Sequence, residues 1–277
     1  MPNILLINLN KDKSRLFSTL DELYAVGQSD YITRIEACDK KMAEMISYKY
    51  ISHKAEENIE NPISTGILPN YAAVGCAISH IKCWKYIIDN NIEDVFVVED
   101  DIQINNIKKY KNDLCNIKRI IAKNKNQTLF IGFNIRTNYK NDTYDYYQNF
   151  KVDGIHLNRI QDMFCGTSYY YINNQMATLL YDSLININYQ IDLEIGKLAK
   201  NYIYNPNIIF LNFNTNSLTT NSKFKSTIQF YNISLNELVN IFNISEDIAD
   251  CIYKYIPDCF KSKREQFISN NYILGNI

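Results

Sequence analysis

The sequence has no C-x-x-C pair, no apolar run near the roughly 18–20 residues of a membrane span, almost no net charge and a single Trp. Each absence closes off a class. Without a membrane-length run no spanning helix is expected, and the opening MPNILLINLN lacks the length and charged flank of a signal peptide. A cytoplasmic location is therefore expected. A net charge of -1 and a pI near 6.3 leave no basic footprint for nucleic acid or an anionic bilayer. The seven Cys (38, 76, 83, 115, 165, 251, 259) are odd in number, and their spacing resembles no zinc site. They read as reduced, structural thiols.

What is present is a series of short apolar runs separated by helical periods. ILLINL (4–9) reads as a buried strand, and KDKSRLFSTLDELYAVG places Leu16, Leu20, Leu23 and Tyr24 at helical spacing before a stop at Gly27. YITRIEAC (31–38) completes a β-α-β opening, which favours a parallel sheet. Residues 52–70, with Pro62, Gly66 and Pro69, read as a loop. A one-faced helix (70–91) carries Val74, Ala77, Ile78, Ile81, Trp84 and Ile88 into the strand DVFVVE. A helix over 106–124, the strand TLFIGF (128–133) and a long polar, Tyr-rich loop (134–153) follow. Then come a strand (164–172), helices (173–184 and 191–201) and a strand (207–213). Two units are expected: residues 1–222, and a small helical extension over 223–277 in which Ser234 and Glu237 suggest a capping box. The 22 Tyr and the abundant Asn are assigned to the drift of an AT-rich genome.

The chemistry concentrates where DVFVVE runs straight into Glu99, Asp100 and Asp101. Adjacent carboxylates repel, and burying them unpaired is costly. Strand alternation points Glu99 and Asp101 one way and Asp100 the other. Two carboxylates at the carboxyl end of a strand can hold a hard divalent cation such as Mn²⁺ or Mg²⁺, and ligands bind at that end of open α/β sheets. A solvated acidic turn has the same letters, so the acids alone do not decide.

The blocks INLNKDKSR, GCAISHIKCW, VFVVEDD and GTSYYYINNQMATLL, in this order, resemble glycosyltransferase family 25, whose members include lipopolysaccharide-building and collagen galactosyltransferase types. The resemblance covers about residues 3–220. It implies a GT-A-like, Rossmann-type mixed α/β sheet flanked by helices, a UDP-sugar donor and an inverting transfer. A hexose, galactose or glucose, would move to a hydroxyl of a glycan or protein acceptor. It further implies that Glu99 and Asp101 hold the metal and that Asp100 meets ribose or sugar hydroxyls. Asn8, Leu9 and Arg15 fall in the donor-side block, as do Ser79 and His80 in the GC-x-x-SH block and Thr167 beside Gly166. Asp192 matches an aspartate that serves as catalytic base or acceptor contact, although its position also suits a helix N-cap. His80 equally reads as a hydrogen-bonded core-edge residue, and Glu194 as a solvated one. Two positions depart from the family pattern: Asn10 stands where Asp is usual, and Lys40 replaces the Gly expected after Asp39. They leave a second reading, an inactive member acting as a glycan-binding or scaffold protein. Self-association through the C-terminal helices is a further expectation.

Overall fold

The computed structural model describes residues 3–28, 31–60, 68–137, 149–152 and 155–220. The expected helical extension (223–277), and with it self-association through its helices, lies outside the described residues, as does the centre of the Tyr-rich loop.

The chain opens with β1 (Asn3–Asn8), α1 (Lys13–Ala25) and β2 (Ile32–Glu36), the β-α-β unit expected from the pattern. Next come α2 (Lys40–Ile46), α3 (His53–Glu60), α4 (Tyr71–Asp89), β3 (Asp94–Glu99), β4 (Ile102–Ile104), α5 (Ile107–Lys123), β5 (Thr128–Phe133) and β6 (Arg136–Thr137). The described chain finishes with β7 (Asn149–Val152), β8 (Ile155–Arg159), β9 (Phe164–Cys165), β10 (Tyr169–Asn173), α6 (Asn174–Ser183), α7 (Ile191–Asn201), β11 (Ile208–Phe213) and β12 (Leu218–Thr220).

Eight strands form one mixed sheet in the order β2-β1-β3-β10-β5-β11-β8-β7. β1 runs parallel to β2 and β3, and β5 parallel to β11, while β10 lies antiparallel between β3 and β5. Helices cover both faces, which is why the central strands are apolar without a break. Leu5, Ile7, Val95, Val97, Tyr170 and Ile172 join the core on the side of α4, α6 and α7. The alternate residues Ile4, Leu6, Phe96, Val98, Tyr169 and Tyr171 pack with Leu23 of α1 and Leu114 and Ile117 of α5. The molecule is thus a Rossmann-type mixed α/β sheet flanked by helices.

Three expectations need correction. The Tyr-rich span read as a loop over 134–153 contains strands β6 and β7. Part of the span read as a loop over 52–70 is helix α3, which buries only Ala55 and Asn58 and so shows no apolar period; its first turn is held by Ser52 Oγ accepting the Ala55 N–H. The segment FCGTSYYYI is two strands rather than one. Gly166, at φ +108°, breaks it between β9 and β10.

Among the described glycines, Gly75 of α4 lies closest to the backbone of another segment. A Cβ on Gly75 would lie 2.4 Å from the Cys38 carbonyl oxygen, and that oxygen belongs to rigid backbone. Gly75→Ala is expected to push α4 off the end of β2 at a cost of about 1–3 kcal/mol, as overpacking does. Urea unfolding should show a lower midpoint at an unchanged slope; an unaltered midpoint would mean that the contact relaxes freely.

Candidate active site

The parallel register sets the site. Ile7 of β1 faces Glu99 of β3, and Asn8 faces Glu36 of β2, so three strands end along one edge. β3 stops at Glu99, and Asp100 and Asp101 form the turn into β4. Strand alternation therefore does not reach past Glu99, and the three carboxylates are sorted by their partners instead.

Asp100 is buried and committed to the protein. Its Oδ2 accepts a 2.6 Å hydrogen bond from Asn8 Nδ2, and Arg15 closes on Oδ1 through Nε at 2.8 Å and Nη2 at 2.6 Å. Each oxygen of Asp100, the residue expected to meet ribose or sugar hydroxyls, thus already has a protein partner that anchors the turn. Burial raises its pKa above the usual range, against the opposing pull of Arg15. The same guanidinium reaches Asp101 Oδ2 at 3.6 Å. Asn8 is fixed from its other end, where Oδ1 accepts from Arg34 Nε at 3.0 Å. Arg34 was not marked by any motif, since a lone Arg in a strand carries no local signal.

Glu99 turns the other way. Its Oε1 accepts from Thr167 Oγ1 at 3.2 Å and lies 3.4 Å from His80 Nε2. His80 is fully buried, and its Nδ1 sits 3.0 Å from the Tyr170 hydroxyl, which also accepts the Trp84 indole N–H at 3.0 Å. Burial alone would raise the Glu99 pKa, but His80, Thr167 and Arg15 together hold it below the usual value.

Asp101 meets the opposite fate. Its Oδ1 is shut off from solvent without a hydrogen-bond partner. Burial first, and then the Glu99 charge, push its carboxyl up to about 7. A raised carboxylate pKa favours folding while the group is protonated, below about pH 4, and that stability drains away as pH rises through about 7. In EDTA, Asp101→Asn is therefore expected to melt about 2–4 °C above wild type at pH 8 and level with it at pH 4. Equal melting temperatures at both pH values would remove the electrostatic strain at this position.

Asp192 lies in the first turn of α7, where Gln190 rather than Asp192 occupies the N-cap. Its Oδ2 accepts the Gly166 N–H at 3.0 Å and its Oδ1 the Leu193 N–H at 2.9 Å. Through Gly166 and the adjoining Thr167 it is joined to Glu99, 93 positions earlier in the chain. Burial raises its pKa, partly offset by these two backbone donors. Glu194, expected in solvent, is instead buried, and its Oε1 accepts the Asn188 and Tyr189 N–H groups at 2.7 and 2.9 Å. It braces the loop that aims α7.

Contacts therefore link Asn8, Arg15, His80, Glu99, Asp100, Asp101, Thr167 and Asp192 into one group. Leu9 adjoins it through the backbone alone, its carbonyl accepting the Asp12 N–H. Ser79 stands apart: buried, it donates to Gly75 O at 2.6 Å and accepts from Cys38 N at 2.8 Å. That locks α4 to the end of β2. The residues fit a hard divalent cation in two respects. The carboxylates of Glu99 and Asp101 are oxygen donors, and Asp101 Oδ1 is a buried oxygen with nothing to satisfy it.

The mixed sheet covered on both faces makes this an α/β protein, and its acidic group lies at the carboxyl ends of parallel strands, where open α/β sheets bind their ligands. A family model described as glycosyltransferase family 25 (LPS biosynthesis protein) matches residues 1–195, and the chain belongs to that family. It is similar to procollagen galactosyltransferase 2 of Homo sapiens and of Mus musculus, each 31% identical over 108 residues. That match takes in 39% of this chain and only 17% of either relative's length. Among solved structures, mannose-1-phosphate geranyltransferase from Thermus thermophilus superposes with a TM-score of 0.39 at 8% identity, covering 77% of this chain and 74% of that one. Apo UDP-glucose pyrophosphorylase gives 0.38 at 11% identity, covering 77% and 90%. Superpositions that loose carry no conclusion about this chain. No helix among the described residues is long and apolar enough to cross a membrane.

Proposed function

We propose that this family 25 glycosyltransferase is a GT-A-like, Mn²⁺- or Mg²⁺-assisted hexosyltransferase. It would move galactose or glucose from a UDP-sugar to a hydroxyl of a glycan or protein, with inversion. The observation that carries the reading is the buried, unpartnered Asp101 Oδ1 beside the charged Glu99. Arg15 reaches Asp101 Oδ2 only at 3.6 Å and is drawn mainly to Asp100, which leaves Asp101 Oδ1 without a partner. Family membership and the likeness to galactosyltransferases support the transfer of a sugar.

Glu99 and Asp101 would hold the cation, which when bound offsets the charge of the leaving diphosphate. Thr167 and His80 keep Glu99 oriented and ionised. Asn8, Arg15 and Arg34 fix the turn, so the donor meets a preformed edge. Asp192, its pKa raised by burial, takes the proton from the acceptor hydroxyl as that oxygen attacks the anomeric carbon. The bond to the diphosphate breaks on the opposite side of an oxocarbenium-like sugar, so a single displacement inverts configuration.

The test is UDP release from a panel of UDP-hexoses, with Mn²⁺ and with EDTA, in the presence of glycan and hydroxyl-bearing peptide acceptors. Release from one or two donors that requires Mn²⁺ supports the reading and names the sugar. Equal release in EDTA contradicts metal assistance.

A further inference from the structure

Cys76 and His80 lie four residues apart on α4 and so share one face of the helix, against which β3 brings Glu99. Among the described residues, Cys76 Sγ, a ring nitrogen of His80 and a carboxylate oxygen of Glu99 all lie within 4.8 Å of one another. Tetrahedral bonds to zinc of about 2.0–2.3 Å place neighbouring donor atoms about 3.3–3.8 Å apart, inside that limit. A second observation points the same way. His80 Nε2 is buried and makes no hydrogen bond, although Glu99 Oε1 is 3.4 Å from it. Its other nitrogen, Nδ1, meets the Tyr170 hydroxyl, the kind of outer partner that fixes the ring of a ligating histidine. A hydroxyl can donate to Nδ1 or accept from it, so Nε2 is able to offer either a proton or a lone pair.

We propose that Cys76, His80 and Glu99 form a site for one soft divalent cation, Zn²⁺, distinct in chemistry from the oxygen site of Glu99 and Asp101. A thiolate and an imidazole select zinc over manganese or magnesium. On binding, the Cys76 S–H bond breaks, its proton leaves to solvent, and the sulfur and the Nε2 lone pair bond the metal. Because Glu99 belongs to both sites, zinc withdraws it from the hard cation and inhibits transfer. The inhibition rests on the proposed function, whereas the binding does not.

The test is titration of the full chain with Co²⁺, followed by displacement with Zn²⁺, for wild type, Cys76→Ser, His80→Gln and Asp101→Asn. Wild type is expected to bind one Co²⁺ with a thiolate-to-cobalt charge-transfer band that Zn²⁺ removes. Cys76→Ser should abolish the band, and either ligand change should weaken Zn²⁺ binding at least ~10-fold. Asp101→Asn should keep both. No band in folded wild type, or a band that survives Cys76→Ser, overturns the proposal. Should His80→Gln unfold, the near-isosteric Cys76→Ser decides alone. A missing band in a protein that releases UDP with Mn²⁺ sinks this inference only. A Cys76-dependent band in a protein inert to every UDP-sugar leaves it standing and sinks the transferase reading.

Discussion

Asp101→Ala is expected to lower Mn²⁺-dependent UDP release by about 10³-fold, the equivalent of about 4 kcal/mol in the barrier. The magnitude follows from what a carboxylate-held cation contributes: several kcal/mol of charge stabilisation on the leaving diphosphate. The fold should not suffer. The substitution deletes a buried oxygen that has no hydrogen-bond partner and a carboxyl that burial has raised to about 7. A variant that melts no lower than wild type but has lost metal-dependent release ties the loss to chemistry. Retained release with unchanged metal dependence would mean that Asp101 holds no cation.

Asp192→Asn is expected to lower kcat by about 10²–10⁴-fold, the range of a positioned general base. The substitution suits the question because the amide oxygen still accepts the Gly166 N–H that Asp192 Oδ2 accepts at 3.0 Å, and only the Leu193 N–H at the start of α7 loses its acceptor. The turn between β9 and β10 therefore keeps its brace, and KM for the donor should hardly move. The base reading is wrong if KM rises while kcat is preserved, because Asp192 then serves to position Gly166 and Thr167. A pH profile separates the two further. Burial raises the Asp192 pKa, so the wild-type rate should fall on the acid side at a higher pH than an ordinary aspartate would give. That limb should vanish in the Asn variant.

The strands at the site were readable because both faces of the sheet are covered. Runs such as ILLIN and VFVVE are apolar throughout, and their lengths set β1 and β3 to within a residue. The pairing was hidden: nothing local says that β10 inserts antiparallel between β3 and β5 and so delivers Thr167 to Glu99. Treating Tyr and Asn as compositional drift hid more. Tyr169, Tyr170 and Tyr171 are all buried, with Tyr169 bonded to Tyr110, Tyr170 to Trp84 and Tyr171 to Asp94. Asn70, Asn106 and Asn173 each accept backbone N–H groups at a helix start. The acidic block stood out by its letters, but the division of labour within it did not. Asp100 is claimed by Asn8 and Arg15 and Glu99 by Thr167, and every one of those pairs is distant in sequence. Cys76 and His80 were visible at helical spacing, yet only β3 supplies their third neighbour.

The central claim is that Glu99 and Asp101 join the protein to a nucleotide diphosphate through a divalent cation. Calorimetric titration of UDP into wild type and Asp101→Ala, each with Mn²⁺ and with EDTA, tests it without needing the sugar or the acceptor. UDP binding that requires Mn²⁺ in wild type and is lost in Asp101→Ala is the expected result. UDP binding of equal strength in EDTA, or none under any condition, would contradict it.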